Sequence, residues 1–102
     1  MTSEIARALV IEARERAGAR WRGTPWLRNS EVPGARLRQL DLRIPADARA
    51  PLDRALERGT LTLRGYDRVL RLAWTMADLA GLDRPGRDEV GQALFLKRGY
   101  AS

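Results

Sequence analysis

The sequence contains no cysteine and no histidine, and among its 19 lysine and arginine residues only Lys97 is a lysine. These absences exclude disulfides, thiol nucleophiles, histidine general bases and zinc sites built from those ligands. No GxxxxGK[ST] motif is present, so the chain carries no phosphate-binding loop. Helix caps and solvated turns account for the clustered acids Asp78, Asp83, Asp88 and Glu89. We therefore expect no catalytic residue and no metal ligand, and no enzymatic activity of this chain alone.

Long apolar runs are also missing. No stretch approaches the roughly 20 residues that a membrane-spanning helix needs. The first residues lack the basic flank and apolar core of a secretion signal. With 102 residues, of which 44% are hydrophobic and 31% charged, the composition is typical of one globular domain. We expect a single domain over residues 1–102, located in the cytoplasm and without membrane contact.

The charge balance is strongly positive, with a net charge of +6. Such a balance favours nucleic acids or other phosphate-bearing molecules as partners. However, nearly all of the basic residues are arginine, and alanine, leucine and glycine are also abundant. This bias is typical of a GC-rich genome, so we attribute the larger part of the positive charge to codon usage.

The spacing of apolar residues predicts an all-α fold, a helical bundle of four or five helices. The predicted segments are Ser3–Arg22, a short turn at Ala35–Leu40, Ala46–Arg58, a helix between caps at Thr62 and Gly81, and Arg87–Lys97, which Gly99 ends. Pro51 suggests that the third segment truly starts near Ala50. The first helix is predicted to bury one face, made of Ile5, Leu9, Ala13, Ala17 and Trp21. Two prolines and two glycines make Gly23–Ala35 a connector that packs against the body.

The helix between Thr62 and Gly81 is predicted to be the central element of the bundle. Its polar residues fall within an arc of about 100°, and the rest of the cylinder is apolar or small. The residues on this arc are Arg64, Asp67, Arg68, Arg71, Thr75 and Asp78. A helix with so narrow a polar stripe must be contacted on several sides.

Arg64 stands in the first turn of that helix, where the positive end of the helix dipole disfavours a cation. Two explanations are open at this point. Arg64 can pair with Asp67 across one turn, which would stabilise the helix by about 0.3 kcal/mol. Alternatively, phosphates located before this helix end would be attracted by both the dipole and the guanidinium group.

The segment "RWRGTPWLR" alternates tryptophan with arginine, a pattern that also occurs in single-strand stacking surfaces. The competing explanation is that Trp21 and Trp26 anchor the connector to the core. The chain has few other aromatic residues for that task, so we favour anchoring.

One known family accounts for nearly the whole chain. The segment "LRGYDRVLRLAWTMADLAG" closely resembles the signature helix in the C-terminal domain of magnesium-chelatase-like AAA+ ATPases, the ComM (YifB) group. The segment "IEARERAGARWRGTPWLRNSEVPG" is similar to that domain's opening helix, and "DEVGQAL" to its closing helix. The opening pattern "AR…R…N" falls on Ala13, Arg14, Arg20 and Asn29. The chain departs from the family in carrying Trp74 where many members have arginine, and "DRPGRD" before the last helix.

The resemblance implies a lid-type domain of a larger AAA+ ATPase. An upstream AAA+ core would carry the Walker motifs, and this domain would pack over the nucleotide. A sensor-2 arginine in a similar "LRG" setting carries over onto Arg64, with Asp67, Arg68 and Arg71 as a supporting polar stripe. ATP and magnesium are implied for the full-length protein, and none is expected to bind this domain alone. The implied partners are the AAA+ core, the neighbouring subunits of a homo-oligomeric ring, and DNA.

The leading hypothesis is thus an ATP-sensing lid domain that couples hydrolysis to motor action on DNA, as in the ComM-type proteins of natural transformation. The alternatives are a non-sequence-specific nucleic-acid-binding helical module and an oligomerisation module. Chelation does not follow from the resemblance, since the sequence shows no porphyrin or metal site.

Overall fold

Helix α4, Leu63–Ala80, is the element against which all the other helices pack. The computed structural model describes residues 3–101, and their side chains through residue 97. Its helices are α1 (Ser3–Arg20), a 3-10 turn (Asn29–Glu31), α2 (Gly34–Leu37), α3 (Ala46–Glu57), α4 and α5 (Arg87–Ala101). Within residues 3–101 there is no β-strand. The prediction of an all-α bundle with this helix at its centre is confirmed.

The two ends of α4 are closed by the predicted caps. At the start, the Thr62 side-chain oxygen accepts a hydrogen bond from the Gly65 backbone N–H at 3.0 Å. At the end, Gly81 adopts φ +75°, a left-handed conformation that glycine enters without steric cost. Between the caps, the apolar positions recur at helical spacing and are buried in the core, at Tyr66, Val69, Leu70, Ala73, Trp74 and Ala77.

The cap at Thr62 gives a first prediction. Changing Thr62 to alanine should lower the free energy of unfolding by about 1 kcal/mol, because the Gly65 N–H loses its acceptor. Thr62→Ser keeps the hydroxyl group and should stay close to the unmodified protein. Urea denaturation followed by circular dichroism measures both. Equal losses for alanine and serine would show that the hydroxyl group is not the source of the stability.

Helix α1 reaches the core only with its second half. Ala13 and Ala17 are buried, whereas Ile5 is 53% exposed, so the prediction that Ile5 faces inward is wrong. Arg16 Nη1 donates to the Asp78 carbonyl oxygen at 3.0 Å, which places the last third of α1 at the carboxyl end of α4. The first turns of α1 therefore extend past the end of the helix on which α1 packs.

Several predicted boundaries differ from the structure. Helix α1 ends at Arg20 rather than Arg22, and α2 spans Gly34–Leu37 rather than Ala35–Leu40. Helix α3 begins at Ala46 with Pro51 inside it, not near Ala50. Pro51 and Asp47 are both exposed, so water can satisfy the one carbonyl group that the proline leaves without a helical donor. Helix α5 continues past Gly99, because a glycine without a left-handed turn only weakens a helix.

Candidate functional site

Most of the polar stripe of α4 faces the connector rather than solvent. Arg71 Nε donates to the Val32 carbonyl oxygen at 2.7 Å. The Asn29 amide donates to Thr75 Oγ1 at 3.3 Å and to Asp78 Oδ2 at 2.9 Å. The polar arc predicted from sequence is therefore, over most of its length, a polar seam between two packed segments.

A buried ion pair anchors this seam. Arg20, at the end of α1, donates from both terminal nitrogens to the two carboxylate oxygens of Asp78, which is 1% exposed. The Arg20 guanidinium also lies 4.4 Å from the ring centroid of Trp74. Asn29 Oδ1 accepts from Arg20 and from the Trp21 indole N–H, at 3.1 and 2.9 Å. This cluster joins α1, the connector and α4 in one hydrogen-bonded network.

The acidic residues that we assigned to caps and solvated turns divide into two types. Glu89 is a cap, because its Oε1 accepts from the Gly86 N–H at 2.8 Å just before α5. Asp78 is not at a solvated turn, and this expectation is wrong. No signal in a single sequence pairs Arg20 with an acid 58 residues away.

Asp67 is held by α2. Its Oδ1 lies 3.2 Å from Arg38 Nε in an ion pair. A Cβ atom on Gly34 would come within 2.0 Å of the Asp67 carboxylate, so the carboxylate packs directly on this glycine. Asp67 thus pairs with Arg38 and not with Arg64, contrary to the explanation that kept Arg64 in a local ion pair.

Arg64 and Arg68 are the members of the polar arc that remain outside the seam. Both are exposed, and neither makes a hydrogen bond or an ion pair with any residue that the structure describes. Lys97, which sequence reasoning missed, lies nearby. A Cβ atom on Gly65 would sit 2.9 Å from its Cε and 3.3 Å from its Nζ. We call Arg64, Arg68 and Lys97 the cationic end of α4.

Trp21 and Trp26 have the anchoring role. Trp21 is 2% exposed, and Trp26 is half-buried against the core. Their rings meet edge to face with centroids 5.9 Å apart. Trp21 is therefore not available for stacking on a nucleic-acid base.

A comparison with protein families matches residues 1–97 to the family described as magnesium chelatase, subunit ChlI C-terminal. The chain belongs to this family. Curated relatives include uncharacterized proteins of Mycobacterium tuberculosis (strain H37Rv) and Mycobacterium bovis, each 45% identical over 97 residues. The match covers 95% of this chain but 19% of each relative, so the chain spans about a fifth of their length. No solved structure matches the chain.

Family membership confirms the resemblance to the magnesium-chelatase C-terminal domain that the signature helix indicated. The most conspicuous element of that resemblance is α4, which is also the centre of the bundle and carries the cationic end. Among the helices of the described part of the chain, none combines the length and hydropathy needed to cross a bilayer.

Proposed function

We propose that this chain is the C-terminal lid domain of a ComM-type, magnesium-chelatase-like AAA+ ATPase, and that it senses bound ATP through Arg64. The observation that carries the proposal is the position of Arg64: it is exposed in the first turn of α4, and the acid one turn away is engaged by Arg38. Arg64 is a cation at the positive end of a helix and has no counter-charge among the described residues. An anion that binds there from outside this domain would explain its position.

The phosphates of ATP are the anion that suits this position. The α4 dipole and the Arg64 guanidinium both attract negative charge, and a guanidinium group can form two parallel hydrogen bonds to phosphate. The residues fit one charged contact rather than a complete nucleotide site, because the chain has no phosphate-binding loop. In the proposed protein, the AAA+ core supplies that loop and binds the magnesium ion.

Within this proposal, the partners of the domain are the AAA+ core and the neighbouring subunits of a homo-oligomeric ring. Hydrolysis would be coupled to motor action on DNA. The family membership supports the ATPase context, and the exposed arginines are compatible with phosphate contacts. No observation on the structure specifically favours the nucleic-acid-binding module, because Trp21 is buried.

The 102-residue chain should not bind ATP tightly by itself. One arginine cannot replace a cradle of backbone amides and a lysine. Isothermal titration of ATP and magnesium into the chain should show no complex in the micromolar range, and the intact ATPase is the positive control. A micromolar, magnesium-dependent complex with the isolated chain would contradict the lid assignment.

The assignment of Arg64 is tested in the intact ATPase, by measuring ATP hydrolysis with Arg64, Arg68 and Arg71 changed one at a time to alanine. The three arginines share one helix but differ in their surroundings, so each serves as a control for the others. The proposal requires that Arg64→Ala lowers the rate of ATP hydrolysis more than Arg68→Ala or Arg71→Ala does.

A further inference from the structure

A second arginine cluster surrounds a pocket of about 220 Å³ between α2, α3 and α4. Tyr66 and Leu70 line the pocket from α4, roughly 200–240° around the helix from Arg64. The pocket therefore lies on the opposite side of α4 from the cationic end. Its apolar wall is formed by buried side chains of Leu37, Ile44 and Leu70.

Three arginines line this pocket, and backbone carbonyl groups hold two of them, Arg38 and Arg49, in place. Arg38 Nε donates to the Gly34 carbonyl oxygen at 3.2 Å, and Arg49 Nη1 to that of Ile44 at 3.1 Å. Arg43 Nη2 donates to the Arg38 carbonyl oxygen over a longer 3.5 Å. Arg38 and Arg49 are ordered by these contacts, and because a guanidinium group has five N–H donors, each arginine keeps donors for a ligand.

The acids near the pocket pair with two of these three arginines and leave Arg43 without a counter-ion among the described residues. Asp53 is the acid among the lining residues, and its carboxylate already accepts from Arg49 at 3.2 Å and from the Tyr66 hydroxyl at 2.7 Å. Asp67, beside the pocket, is paired with Arg38. The Tyr66 hydroxyl is neutral at physiological pH and does not repel an anion, and burial together with the hydrogen bond to Asp53 raises its pKa further, to about 12.

We propose that this pocket binds a small molecule through a phosphate or carboxylate group. The planar guanidinium fork matches either oxyanion with two hydrogen bonds, and an already ordered arginine loses little freedom on binding. The apolar wall of Leu37, Ile44 and Leu70 would contact the non-ionic part of such a ligand. This site is separate from Arg64 and does not depend on the proposed ATP-sensing function.

The test is a titration of the 102-residue chain, monitored by ¹H–¹⁵N and aromatic NMR signals. The probes are inorganic phosphate and malonate, with chloride at equal ionic strength as the control. We expect saturable shifts of Tyr66 and of the Nε signals of Arg43 and Arg49, with a Kd on the order of 1 mM or tighter for at least one probe. Preference for one probe identifies phosphate or carboxylate as the recognised group. Shifts that do not saturate, or that chloride reproduces, would overturn the proposal.

Arg43→Gln is the decisive variant, since Arg43 is exposed and makes only the long contact to Arg38. It should weaken binding of the preferred probe by roughly tenfold, because one charged donor is lost. Arg58→Gln, at an exposed arginine outside the pocket, should bind as the unmodified chain does. Unchanged binding by Arg43→Gln would overturn the pocket proposal without affecting the assignment of Arg64.

Discussion

Changing Arg64 to alanine in the proposed full-length ATPase is expected to reduce turnover by on the order of 10²-fold or more. The reason is the loss of the proposed charge-assisted contact to the phosphates, at a helix end whose dipole would strengthen that contact. Arg64→Lys should restore only part of the rate, because a compact ammonium group does not reproduce the planar fork of the guanidinium group. Steady-state and single-turnover hydrolysis measure the effect and separate chemistry from product release.

The fold should not change in this variant. Arg64 is exposed and has no counter-ion among residues 3–97, so its removal should alter the free energy of unfolding by less than about 1 kcal/mol. Removing a cation from the positive end of α4 could even raise stability slightly. A large loss of turnover together with an unchanged unfolding transition would therefore identify a functional role.

The neighbouring arginines provide the matched controls. Arg68 is also exposed but lies one turn further from the start of α4, so Arg68→Ala should reduce turnover much less. Arg71 binds the Val32 carbonyl oxygen, so Arg71→Ala should act mainly by loosening the connector, which an unfolding experiment detects. If Arg64→Ala hydrolyses ATP at the unmodified rate, or if all three variants are equally impaired, the sensor assignment is wrong.

The parts of this fold that could be predicted are those encoded locally. The span and the central position of α4 follow from its 3.6-residue period, and its ends follow from Thr62 and Gly81, whose capping chemistry involves residues within one turn. The cap at Glu89 is of the same kind. Such features need no knowledge of distant contacts.

The features of the fold that could not be predicted depend on which residues a polar side chain contacts. A stripe of charged residues on a helix has the same spacing whether it faces water or a polar partner segment. Asp78 therefore looked like a solvated acid, although Arg20 and Asn29 enclose it. The opposite error occurred at Ile5, which has the spacing of a core residue but is 53% exposed.

In the candidate site, too, local features could be predicted from sequence and contacts between distant residues could not. Arg64 could be singled out from sequence because its charge opposes the helix dipole, whereas Lys97 reaches the cationic end only through the packing of α5 on α4. The arginine pocket could not be predicted from sequence, because Arg38, Arg43 and Arg49 belong to three different local structures. Because the chain is rich in arginine, the presence of these three arginines does not predict a site. Only the fold shows that they line the same pocket.

The largest stability effect is expected from the Arg20–Asp78 pair. Asp78→Ala should lower the free energy of unfolding by about 3–5 kcal/mol, because it leaves the largely buried Arg20 guanidinium without its counter-ion. The Asn29 amide loses an acceptor in the same variant. Since domains of this size are stable by about 5–15 kcal/mol, such a loss would remove a large part of the total.

Urea unfolding monitored by tryptophan fluorescence measures this effect directly, because the Arg20 guanidinium lies over Trp74 and Trp21 belongs to the same network. Asp83→Ala, at an exposed acid shortly after α4, is the matched control and should stay within about 0.5 kcal/mol of the unmodified chain. The double variant Arg20→Met, Asp78→Leu should recover much of the loss, because it removes both charges together and leaves neither one buried alone. If Asp78→Ala lowers the free energy of unfolding no more than Asp83→Ala does, the ion pair does not hold α1 and the connector on α4. The apolar contacts of Trp21 and Ala17 must then hold these segments without it.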